Sequence, residues 1–197
     1  MAKQLSIGLF GGTFDPVHLG HLLVADDVLL KMKLDKIIFI PSALPPHKQL
    51  VGASARHRLR MVRLAIQGMP VFEFSNIEIR RPGRSYSIET VMAMRQKYPG
   101  SRLYFIAGAD TLKEIQTWNR ADELLKICQF VVMTRAGYNL EEMMSGLKYP
   151  GRFRVVHVRD VEISSTDIRR RIQDKQSIHF LVTPGVERYL KSHKLYL

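Results

Sequence analysis

Short apolar runs recur along this chain, and between them apolar residues return at helical spacing. Leu5 to Phe10, Ile37 to Ile40, Val71 to Phe74, Leu103 to Ala107, Phe130 to Thr134 and Arg154 to Val158 read as strands. Leu22, Ala25, Leu29 and Met32 share one face of a helix over 19–33. Further helices are expected over 55–67, with Ser54 as N-cap, and over 86–98, ended by Pro99-Gly100. From Ser164 onward the chain reads as helical, and Pro184 opens a final helix. Strands alternating with helices argue for a parallel sheet covered on both faces. The expectation is a single α/β domain over 1–197: a Rossmann-like parallel sheet with helices on both faces and a small helical C-terminal part over about 164–197. In such sheets ligands bind beyond the carboxyl ends of the strands.

Charge narrows the partners. Thirty Lys and Arg against eighteen Asp and Glu leave +12. That balance suits an anionic partner, either a nucleic-acid backbone or nucleotide phosphates, or simply a basic, soluble surface. No stretch approaches the roughly 20 apolar residues of a membrane span. The opening Met1 to Gly8 is too quickly interrupted for a signal peptide. One cysteine, Cys128, excludes a disulfide within this chain and a cysteine-built metal cage. A cytoplasmic protein with no membrane partner is therefore expected.

Directly after the first strand stands Gly11-Gly12-Thr13-Phe14-Asp15-Pro16-Val17-His18-Leu19-Gly20-His21. The two glycines let backbone approach a ligand closely, and Asp15-Pro16 makes a turn. A helix then begins near His18 or Leu19, where free N–H groups attract anions. His18 and His21, three apart, share a helix face and can donate together to phosphate oxygens as charge develops. The same spacing also suits a metal pair or a solvated helix start. A zinc site would need more ligands than the sequence supplies nearby, and the run is not a dinucleotide-binding Gly-x-Gly-x-x-Gly.

A second motif lies far downstream, Ile163-Ser164-Ser165-Thr166-Asp167-Ile168-Arg169. Ser164 and Asp167 resemble a capping box. The helix start, the hydroxyls of Ser165 and Thr166, and the forked guanidinium of Arg169 form a phosphate site without a Walker lysine. A capped surface helix is the alternative reading, and Arg170 and Arg171 read as surface charges.

The two motifs, in this order, resemble the His-x-Gly-His nucleotidyltransferases, and most closely the bacterial nicotinate-nucleotide adenylyltransferase family. The resemblance runs from Ile7 to Val186-Glu187-Arg188-Tyr189-Leu190. It implies an adenylyltransferase that joins ATP to nicotinate mononucleotide in NAD biosynthesis, with no nucleic-acid partner. His18, His21 and Arg169 would be catalytic. Gly11, Gly12, Thr13, Phe14, Gly108, Asp110, Ser164, Ser165 and Thr166 would join them around ATP. Asp15, Lys48, Tyr86, Ser87, Trp118 and Arg135 would serve the acceptor, with Trp118 stacked on the pyridine ring and the Ser85-Tyr86-Ser87 segment holding its carboxylate. Mg²⁺ would be held mainly by the ATP phosphates. Arg56, His57 and Arg58 at the second helix start read as partly surface. Ser87 stands where the family usually has Thr, Glu89 where Asp is common, and Asn119 where an aromatic or His is frequent. Those differences bear on nicotinate against nicotinamide, not on the reaction.

Overall fold

A computed structural model of the chain describes residues 3–43, 52–109, 111–134 and 144–197. The elements in order are β1 (Ser6–Gly12), α1 (Leu19–Lys31), β2 (Lys36–Pro41), α2 (Ala55–Ala65), β3 (Phe72–Phe74) and α3 (Ser87–Lys97). There follow β4 (Arg102–Gly108), α4 (Thr111–Glu114), a 3₁₀ turn (Ile115–Thr117), α5 (Ala121–Ile127), β5 (Gln129–Thr134), β6 (Phe153–His157), α6 (Ser165–Gln173) and α7 (Pro184–Ser192). All five strand pairings are parallel. The strand order is β3-β2-β1-β4-β5-β6. This is the doubly wound order, and it reverses direction between β1 and β4, where the loops part and a crevice opens.

Alternation along the strands builds the two cores. Ile7, Leu9, Ile38, Ile40, Phe105 and Val132 face one way, against Ile88, Val91 and Met94 of α3 and Leu124 and Leu125 of α5. Phe10, Ile37, Phe39, Ile106 and Val131 face the other way, against Ala25 and Val28 of α1 and Met61 and Val62 of α2. A strand buried on both faces has no polar side to spare, which is why these runs read as continuously apolar. Ile168, Val182, Val186 and Leu190 belong to the second core. The C-terminal helices thus share the main core instead of packing apart from it. Each predicted strand and helix is present, with ends shifted by one or two residues, where helices fray and strands lose their neighbours.

Two local features bring α1 and the late segment into place. Gly8 sits where α1 and the sheet meet closely: a Cβ there would lie 2.8 Å from Ile106 Cδ1 and 3.0 Å from Leu34 Cδ1. Asp27 of α1, almost buried, accepts from the Arg159 backbone N–H (2.7 Å) and from its Nη2 (2.5 Å). The guanidinium holds the Asp27 carboxyl below the usual carboxylate range, chiefly by hydrogen bonding. This pair ties the chain leaving β6 to α1, just upstream of α6.

Gly8→Ala should therefore force overpacking and destabilise the fold by about 1–3 kcal/mol. Urea unfolding checks this through a lower midpoint at unchanged slope.

Candidate active site

At the carboxyl ends of β1 and β4 lies a cleft of about 550 Å³, within the range of small-molecule sites. Gly11, Gly12, Thr13, Tyr86, Ser87, Gly108 and Trp118, all predicted for the site, line it together. A wider groove of about 710 Å³ beside Arg60, Arg63 and Phe74 collects none of the predicted residues. Tyr86 is the N-cap of α3; its carbonyl accepts from the Glu89 and Thr90 N–H groups (3.1 and 3.3 Å), and the Ser87 and Ile88 amides are the ones the helix's own ladder cannot pair. Trp118 is half-buried. Its ring packs edge-on to Phe105 (5.8 Å) and Phe130 (6.3 Å), while part of it lines the cleft. It is both the core residue and the accessible ring that its polar surroundings suggested.

The turn between β1 and α1 carries the imidazoles. His18 is the N-cap of α1 and is buried. His21 lies one turn on, and the two rings stack with centroids 3.7 Å apart. The His18 N–H donates to His21 Nδ1 at 3.3 Å. Because Nδ1 accepts this hydrogen bond, the proton of a neutral His21 sits on Nε2. Gly20 makes room for this arrangement, since a Cβ there would lie 3.0 Å from His18 Nδ1. Burial pulls the His18 pKa down to about 4, and burial plus the His18 charge pull His21 well below its ordinary value. Near neutral pH both rings are uncharged hydrogen-bonding groups.

The late motif meets this turn. Arg169 Nη1 donates to the Asp15 carbonyl (2.7 Å) and Nη2 to Thr166 Oγ1 (3.2 Å). Ser165 Oγ donates to the Pro16 carbonyl at 2.8 Å. Ile163 Cβ lies beneath Gly20. The start of α6 and the paired histidines therefore flank one turn, as the two-motif reading requires. Ser164 caps α6 by accepting from the Asp167 N–H (3.0 Å). Asp167 does not complete the box, because its carboxylate turns to Arg170 (2.5 Å) and Arg171 (2.7 Å). Those two arginines are paired with Asp167 at the surface.

Several expectations need correction. The start of α1 is not an open anion nest: the Leu19 N–H is taken by the Leu181 carbonyl at 2.8 Å, and the His18 N–H by His21. The Phe14 side chain is 2% exposed and packs on Phe10, Phe39 and His21. It backs the His21 ring from within the core. Gly12 lacks a side chain because the Phe14 ring occupies that space, at 2.9 Å from a notional Cβ. The Asp15 carboxylate is engaged by the protein, accepting from the Ala53 N–H (2.9 Å) and the Tyr196 hydroxyl (2.6 Å). Lys48, Asp110 and Arg135 lie outside the described residues.

Three residues were missed. Arg58 is fully buried, not partly surface. Its signal was available: it precedes Met61, Val62 and Ala65 by three, four and seven positions, on the apolar stripe of α2. Glu78 lines the cleft, buried, and accepts from Thr90 Oγ1 at 2.9 Å. Burial raises its pKa, against the pull of the Thr90 hydroxyl. Tyr196 joins the site through Asp15. Nothing local in the sequence marks either of these two. Among the described residues, no three His, Cys, Asp or Glu side chains converge as a metal centre would need, and no helix is long and apolar enough to cross a membrane.

The Cytidylyltransferase-like family model matches residues 9–171, which span both motifs. The nicotinate-nucleotide adenylyltransferase of Bacillus subtilis is 41% identical over 191 residues, 96% of this chain and 97% of that protein. The chain belongs to the nicotinate-nucleotide adenylyltransferase family. Another member, the probable nicotinate-nucleotide adenylyltransferase of a Thermoanaerobacter species, is 43% identical over 203 residues and covers the whole of this chain and 96% of its own. The family's architecture extends to distant sequences. The Plasmodium falciparum nicotinic acid mononucleotide adenylyltransferase, solved with NaAD, superposes with a TM-score of 0.80 over 98% of each chain at 18% identity. At that identity the likeness concerns the fold.

The depressed His18 pKa has a consequence for stability. Between pH 6.5 and about 4 an unfolded chain protonates this ring while the folded protein does not. The stability His18 contributes is thus present above pH 6.5 and lost as pH falls toward 4. The loss should be of order 3 kcal/mol, at about 1.4 kcal/mol per unit. Urea midpoints across this range should fall more steeply for the native protein than for His18→Asn, and equal slopes would refute it.

Proposed function

We propose that this protein is an adenylyltransferase that joins ATP to nicotinate mononucleotide, giving nicotinate adenine dinucleotide and pyrophosphate. One observation carries the reading: the turn leading into His18 and His21 is gripped at Asp15 and Pro16 by Arg169 and Ser165, while Gly11 to Thr13, just before it, open on a cleft lined by Tyr86, Ser87 and Trp118. The triphosphate belongs on the histidine and α6 side. The pyridine nucleotide belongs in the cleft, its carboxylate at the start of α3 and its ring against Trp118.

An oxygen of the acceptor phosphate attacks the α-phosphorus of ATP in line. The bond from that phosphorus to the bridging oxygen of the β-phosphate breaks, and pyrophosphate leaves. No protein nucleophile is needed, since such transfers depend on positioning and charge stabilisation. His18 and His21, uncharged before binding, donate to the phosphoryl oxygens. Arg169 supplies fixed positive charge. Phe14 and Gly20 hold the imidazoles in place. Mg²⁺, when bound, would be held mainly by the triphosphate and water and would supply neutralisation of phosphate charge. The side chains described do not form a resident metal cage. The whole chain serves as one nucleotidyltransferase domain, working in the cytoplasm.

Pyrophosphate release from ATP, with nicotinate mononucleotide, nicotinamide mononucleotide and phosphopantetheine offered in turn, tests the reading. The nicotinate acceptor should turn over fastest, and faster phosphopantetheine turnover would refute it. His18→Ala should fold and unfold cooperatively yet lose about 10²–10³ in kcat, or about 2.7–4 kcal/mol of barrier. Retained turnover in that variant would remove His18 from the mechanism.

A further inference from the structure

We infer that Arg58 is a positioning residue for the acceptor half of the site, an inference that rests on the functional reading above. Its guanidinium is fully buried, and its donors go to main-chain carbonyls. Nη1 donates to Thr13 (2.6 Å), Nη2 to Ser42 (2.7 Å) and Ala43 (3.2 Å), and Nε to Ala53 (3.2 Å). These carbonyls are distant in sequence and adjacent in space. Thr13 follows β1, Ser42 and Ala43 follow β2, and Ala53 stands just before α2. Thr13 and Ser42 line the cleft. Arg58 therefore fixes three loop segments relative to one another, and two of them form the wall of the acceptor site.

Asp15 extends the tie to the phosphate side. Its carboxylate accepts from the Ala53 N–H and the Tyr196 hydroxyl, and its carbonyl accepts from Arg169. Gly52 lets its own backbone lie against that carboxylate, for a Cβ there would meet Asp15 Oδ2 at 1.8 Å. A continuous hydrogen-bonded path thus runs from Arg169 through Asp15 and Ala53 to Arg58, Thr13 and Ser42. The charges of Asp15 and Glu78 offset that of Arg58 through space. A buried cation is a poor source of net stability. What its carbonyl bonds supply is a fixed geometry, and transfer between two bound nucleotides is sensitive to misplacement on the ångström scale. A planar fork of five donors can reach carbonyls in several directions at once, whereas a lysine ammonium on a single stem end cannot.

Arg58→Lys is the test, with Arg58→Met, which keeps the stem and removes the donors, as the second variant. Arg58→Lys should unfold cooperatively and bind ATP with a Kd within about threefold of the native value. It should lose about 10- to 100-fold in kcat/KM for nicotinate mononucleotide. Amide hydrogens in peptides holding Ser42 and Ala53 should exchange faster, while those of β4 and β5 stay protected. Arg58→Met should show the same pattern, enlarged. Equal losses in ATP affinity and acceptor turnover, or native acceptor kinetics, would overturn the inference. So would failure of both variants to fold, which would make Arg58 a folding residue. If the native protein turns over no pyridine nucleotide, the functional reading fails, and exchange at Ser42 and Ala53 still judges the role of Arg58 separately.

Discussion

The segment from Thr13 to His18 is irregular backbone carried between a buried strand and α1, and every useful group in the site hangs on how it is held. Its carbonyls and side chains are met from separate directions: Arg58 at Thr13, Arg169, Ala53 and Tyr196 at Asp15, Ser165 at Pro16. Buried main-chain polar groups must find partners. Here the partners come from α2, α6, the chain before α2 and the last residues, so holding the turn and assembling the site are one event. The doubly wound order makes this possible, because it brings the carboxyl ends of β1 and β4 side by side at the point where their loops diverge.

Electrostatically the site divides its labour. The imidazoles, His18 buried and His21 half-buried, are stacked and neutral, so they cost little to keep close together and can donate without a standing charge. Positive charge comes from Arg169, half-exposed at the start of α6. Arg58, equally cationic, sits deeper and faces carbonyls, not solvent. The overall +12 charge is a long-range field that favours anionic substrates. The contacts that place those substrates come from a few groups whose environments differ sharply from the surface average.

The remainder of the architecture serves the same end. Asp27 and Arg159 tether the chain that leads into α6, and Lys31 donates to the His157 carbonyl beside them. Ile168, Val186 and Leu190 join the core on the α1 face, so α6 and α7 cannot drift from the turn they contact. Trp118 lies at the border between the opposite core and the cleft, which gives an aromatic surface a rigid backing.

Local physics was enough to read the alternation of strands and helices, the caps at Ser54 and Ser164, and the two motifs, because period, turn chemistry and short-range spacing are written residue by residue. The likeness to a family then placed Tyr86, Ser87, Gly108 and Trp118 in one site. Long-range contacts decided the rest. Phe14 belongs to the core because Gly12 leaves its ring a space. Asp15 is a tie point because Tyr196 reaches it across 181 positions of sequence. The amide of Leu19 is closed to anions by Leu181. Arg58 is the instructive case: its place on the apolar stripe of α2 was legible, but the carbonyls that justify burying a guanidinium converge only once three loops have been brought together by the sheet.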